Sequence, residues 1–172
     1  ASDVYKRQPT FTGTAVGNST ITLYNNGSNL PWATVQSDAG GNWSYTPSNP
    51  ISDGNYSITA KTSNATGIQS AASPAVIFKV DTVPPSAPTL IGSTGAINTK
   101  KPNLSGTAEA NSTVSLYNNT DTTPMATVTT GADGQWTYTP ANDLPEGSYS
   151  ITAKARDVAG NVSTASAALT FT

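Results

Sequence analysis

The sequence predicts an all-β chain built as two tandem antiparallel sandwiches joined by a short Pro-rich linker. Three observations carry that expectation. Pro9–Lys79 aligns without a gap onto Pro102–Thr172 at a constant offset of 93, and Tyr56–Lys61 returns unchanged as Tyr149–Lys154. Within each copy apolar and polar residues alternate with period two, the mark of half-buried strands. Clusters of Asn, Asp and Gly cut these runs at short intervals, as turns do.

The second copy divides into seven strands. The first lies near Pro88–Gly92, the second near Asn103–Thr107 and the third near Thr113–Asn118. The others lie near Met125–Thr130, Gln135–Thr139, Ser148–Arg156 and Ser163–Phe171. Val114 and Leu116 share one face, as do Trp136 with Tyr138 and Tyr149 with Ile151 and Ala153. A single core of Leu116, Trp136, Tyr138, Ile151 and Phe171 would hide these faces between two sheets. A period near 90 residues is too long for a solenoid unit and suits a sandwich of the immunoglobulin-like kind. Tyr149, just after Gly147, stands where a tyrosine corner would bond across the turn before its strand.

The domain plan follows. Residues 1–7 fit neither the repeat nor the linker, and they resemble a non-native leader or sequencing remnant. Residues 8–80 form repeat 1, whose first strand would fall before residue 1 by the offset and is lacking. Residues 81–87 are the Pro-rich linker, and residues 88–172 form repeat 2. Pro84, Pro85 and Pro88 fix φ and remove donors, so the linker should be stiff and extended.

Composition removes many functions. The chain has no Cys and no His, which excludes disulfides, thiol nucleophiles, Ser-His-Asp triads and the usual zinc or copper sets. Its pI near 4.8 leaves no basic stripe for nucleic acid. No apolar run approaches the ~18 residues of a membrane helix. Tyr24, Tyr117 and Trp32 are the aromatics expected at the surface, where they could form a sugar platform. Lys61 and Lys154 fall on the outward phase of their strand and should be solvated.

The blocks Pro102–Ala108, Ala132–Pro140, Arg156–Asn161 and Val80–Pro85 resemble the bacterial Ig-like repeats of giant surface adhesins and biofilm-associated proteins. The resemblance implies an extracellular, non-catalytic spacer on a bacterial cell surface, often stiffened by calcium at its joints. Neighbouring modules of the same chain would be its partners, and surface glycans or biofilm ligands would be reached through other domains. A carbohydrate- or surface-binding module of a phage tail or a secreted polysaccharide-active protein is the alternative.

Carboxylates are the only site material. Glu109, Asp133 and Asp157 fall in three loops expected at the pole of repeat 2 where the chain enters, and Asp81 lies in the linker. Repeat 1 has Val16, Gly40 and Asn64 at the matching positions. Crowded carboxylates repel, and a hard cation with oxygen ligands relieves this. With the resemblance, Asp81, Asp157, Glu109 and Asp133 are therefore the expected metal ligands, and Ca²⁺ the expected structural ion. The competing role for Asp133 and Asp157 is to bond their own turns beside Gly134 and Gly160. A glycosidase pair would need a cleft lined by aromatics, and the aromatics here alternate into the cores.

Overall fold

A computed structural model describes residues 8–64 and 66–172. The leader at 1–7 lies outside the described residues. The chain divides between Thr82 and Val83 into two compact units. Every described element is a strand, as expected.

In the first unit β1 (Phe11–Thr14) pairs antiparallel with β4 (Asn42–Tyr45). A second sheet runs in the order β3 (Ala33–Gln36), β2 (Thr20–Asn25), β5 (Gly54–Ser63), β6 (Val76–Val80). The second unit repeats this layout. There β7 (Leu104–Thr107) pairs with β10 (Gln135–Tyr138), opposite the order β12 (Leu169–Phe171), β11 (Tyr149–Arg156), β8 (Thr113–Asn118), β9 (Ala126–Thr129). Leu23 faces Ala60 in one register and Leu116 faces Ala153 in the other, so the offset of 93 survives in the pairing.

Alternation explains the cores. Ile21, Leu23, Ile58, Phe78 and Val80 bury in the first unit, and Val114, Leu116, Ile151, Leu169 and Phe171 in the second. Each such side chain contributes about 1.5–3 kcal/mol when fully buried. Tyr149 donates its hydroxyl proton to the Pro145 carbonyl at 2.8 Å, and Tyr56 does the same to Ser52. Both rings stack on the last strand, against Phe171 at 5.1 Å and Phe78 at 5.2 Å. The tyrosine corner is thus present twice.

Two expected strands are shorter than the pattern suggested. Pro88–Gly92 makes one isolated bridge, Ile91 to Ser105. Of the stretch Ser163–Phe171 only Leu169–Phe171 is regular strand. The reason is local chemistry: the Ser163 and Ser166 hydroxyls accept the Ala155 and Ala153 amide protons. Ser70 and Ser73 do so for Thr62 and Ala60. A side-chain oxygen in the ladder breaks its regular geometry while keeping the donors bonded.

The aromatic assignments need correction. Trp32 packs edge-on against Phe11 and Tyr45 at 5.6 and 5.7 Å, in the first core. Tyr24 is only 8% exposed, with its hydroxyl bonded to Gln69 and Lys61 Nζ 5.2 Å above its ring. Alternation placed Tyr24 outward, but the Lys61 stem and the Gln69 segment cover that face. Tyr117 is half-buried beneath Lys154.

Candidate functional site

Four loops share one construction, and it decides what the candidate acids do. In Asp38–Asn42, Asn64–Ile68, Gly131–Gln135 and Asp157–Asn161 the first residue's N–H donates to the fifth residue's carbonyl. The fourth residue is always glycine at positive φ: Gly41 at 86°, Gly67 at 82°, Gly134 at 75° and Gly160 at 97°. Its N–H returns to the first residue's carbonyl. A short turn closed by a left-handed glycine in this way joins antiparallel strands without splaying them.

The construction leaves the fifth residue's N–H facing inward, and a side-chain oxygen takes it. Asp157 Oδ1 accepts it from Asn161 at 2.8 Å, and Asp157 Oδ2 accepts the Asn161 amide at 2.8 Å. Asn64 Oδ1 accepts the Ile68 N–H at 2.9 Å. Asp38 Oδ1 accepts the Asn42 N–H at 2.8 Å. In the loop Gly131–Gln135 the first position is glycine, and Asp133 Oδ1 accepts from the Gln135 N–H instead at 3.0 Å. The turn role weighed for Asp133 and Asp157 is therefore realised.

Asp38 was not among the candidate acids, because its aligned counterpart is Gly131. The motif Asp-x-x-Gly-Asn, present as 38–42 and 157–161, was the signal that could have found it. Its carboxyl is held below the usual 3.8, first by the Asn42 backbone N–H and then by the Asn42 side-chain amide. So the loop of repeat 1 that matches Asp133 is not free of acid.

Asp81 and Asp53 have partners within the first unit. Asp81 Oδ2 pairs with Lys79 Nζ at 2.7 Å. Asp53 accepts both the Thr82 N–H and its hydroxyl proton. Glu109 serves the fold through its carbonyl, which accepts the Thr130 hydroxyl and the Ser112 N–H. Within each unit, among the described residues, no three Asp or Glu side chains gather into a metal cluster. The available donors are all hard oxygens, which suits calcium by type. No helix of the described residues is long and apolar enough to cross a membrane.

Two sheets closed over one core, with a tyrosine corner, define the immunoglobulin-like class of sandwich. The chain belongs to the bacterial Ig-like domain family, whose sequence profile matches residues 4–82 and again 91–172. Chitinase A1 of Niallia circulans is 37% identical over 158 residues, which cover 87% of this chain and 21% of that protein. The chain thus spans about a fifth of the length of that curated relative. A tetra-tandem repeat from the extending region of a large adhesion protein is 24% identical, covering 98% of this chain and 47% of that one with a TM-score of 0.41. The BSP domain of a biofilm-associated protein is 20% identical, covering 95% and 27%, also with a TM-score of 0.41.

Proposed function

We propose that the pair is a non-catalytic spacer of an extracellular bacterial surface protein, which carries other domains away from the cell. One observation supports this most directly. What the two copies share is scaffold: core, tyrosine corner, serine-modified last strand and glycine-closed loops. Among the described residues Asp38, Asp133 and Asp157 bond their own turns, and Phe11, Trp32, Trp136 and Phe171 pack the cores. The test is cargo-independent: deleting one module in the parent protein should shorten reach without abolishing the activity of the terminal domain.

A carbohydrate-binding role in a secreted polysaccharide-active protein is the second reading, favoured by the chitinase relative. Chitin sedimentation with the two-module chain separates the two. Retention on chitin selects binding, and a free supernatant selects the spacer.

Calcium at the joint, through Asp81, Asp157, Glu109 and Asp133, belongs to the spacer reading. Its support is indirect. It rests on the resemblance and on the hard oxygen donors that these four residues supply. Calorimetry at millimolar Ca²⁺ tests it, with Asp157→Asn and Asp81→Asn expected to abolish the heat.

A further inference from the structure

The last edge of each unit runs against its neighbouring strand with two residues too many. In the second unit Arg156 faces Val162 and Ile151 faces Leu169. Five steps along β11, from 156 to 151, are thus matched by seven on the edge, from 162 to 169. In the first unit Ser63 faces Gln69 and Ile58 faces Val76, again five steps against seven. The bonds in between place the extra residues. Ser163 N–H donates to the Ala155 carbonyl, and Ser166 N–H to that of Ala153. Three steps on the edge therefore answer two on β11, first from Ser163 to Ser166 and then from Ser166 to Leu169. Each interval is a one-residue β-bulge.

Both bulges hang on serine. Its Oγ takes the amide proton that a ladder carbonyl would take, from Ala155 at 2.9 Å for Ser163 and from Ala153 at 3.0 Å for Ser166. The same hydroxyls donate onward to the Thr164 carbonyl at 2.7 Å and the Ala167 carbonyl at 2.8 Å. Ser70 and Ser73 repeat the pattern in the first unit, down to the bonds to Ala71 and Pro74. The inner side of the edge is thereby satisfied, while its outer side is no longer a ladder. Two steps of a strand rise about 6.6 Å, so three steps sharing that length rise about 2.2 Å each. An incoming strand repeats its donors and acceptors every two extended residues and finds no matching row here.

Such a block answers a hazard of tandem modules. Tyr56–Lys61 and Tyr149–Lys154 are identical, so strands of one module fit the sheet of another. Thr164, Ala165, Ala167 and Ala168 are exposed, and residues 163–168 hold no charge and no proline, the other common guards of an edge. We propose that the two serine-anchored bulges are a device against mispairing, which keeps this edge of each module from adding a strand of a second copy of the chain.

The test straightens the edge in the full two-unit chain by deleting Thr164 and Ala167 together with Ser163→Val and Ser166→Val. Val162 to Leu169 then match Arg156 to Ile151 step for step, and the Ala165 and Ala168 N–H groups point outward. Sedimentation should show the unaltered chain as a monomer and the straightened one as a concentration-dependent dimer or larger species. Exchange at the Ala165 and Ala168 amides should slow about tenfold as the straightened chain associates. Deleting Ala167 alone with Ser166→Val applies the same test through Ala168 if the double deletion does not fold. A straightened chain that folds and stays monomeric at its solubility limit overturns the proposal. So does protection of the 164–168 amides that rises with concentration in the unaltered chain, which would make this edge an interface and not a guarded one.

Discussion

Replacing Gly106 by alanine isolates what the strand at 88–92 does for its module. A Cβ at 106 would fall on the Thr89 carbonyl oxygen and 2.9 Å from Trp136. At Gly13 the nearest atoms it would meet are Trp43 ring atoms, from 2.7 Å. The tryptophan clash is therefore common to both sites and cancels in the comparison. What remains is displacement of residues 88–92, since a backbone carbonyl cannot rotate aside as a side chain can. Three backbone hydrogen bonds would be lost, at about 1 kcal/mol each. Uncovering Leu169 to the degree of Val76 adds about 1 kcal/mol. Gly106→Ala should then destabilise the second unit by about 3–4 kcal/mol more than Gly13→Ala destabilises the first. Urea unfolding followed by hydrogen exchange in segments from each unit measures the two separately. Equal losses in both units would refute the claim that the 88–92 strand, and not the tryptophan, requires glycine at 106.

Other expectations are narrower. Asp157→Asn keeps an acceptor for the Asn161 N–H, as Asn64 does for Ile68, but loses the one for the Asn161 side-chain amide and should cost about 1 kcal/mol; Asp157→Ala, which loses both acceptors, should cost about 1–3 kcal/mol, and urea midpoints distinguish them. Tyr149→Phe and Tyr56→Phe should each lose about 1 kcal/mol with the corner bond, read from the unfolding of the corresponding unit. The depressed carboxyl of Asp38 contributes stability that is present above 3.8 and is lost as pH falls below 3.8 through its lower folded value. Asp38→Asn should therefore flatten the acid limb of the first unit's stability profile between pH 5 and pH 2, measured by thermal melts across that range.

Much of this was legible in the chain itself. Period-two alternation determined which faces of β8, β10 and β11 turn inward, because successive side chains on a strand point to opposite sides. The offset of 93 determined that both units share one register, since a slip of one residue would turn each core outward. Tyr149 behind Gly147 announced its own hydrogen bond. Other features needed the third dimension. That Tyr24 is covered and Trp32 belongs to the core depends on Gln69, Phe11 and Tyr45, residues far away in sequence. That Asp38 and Asp157 do the same work was hidden by an alignment that sets Asp38 against Gly131, although both build the same glycine-closed loop. That Gly106 lies under the Thr89 carbonyl and beside Trp136 was decided by residues 88–92 packing on β7, because close approach between backbones is a property of packing and leaves no mark in a linear pattern.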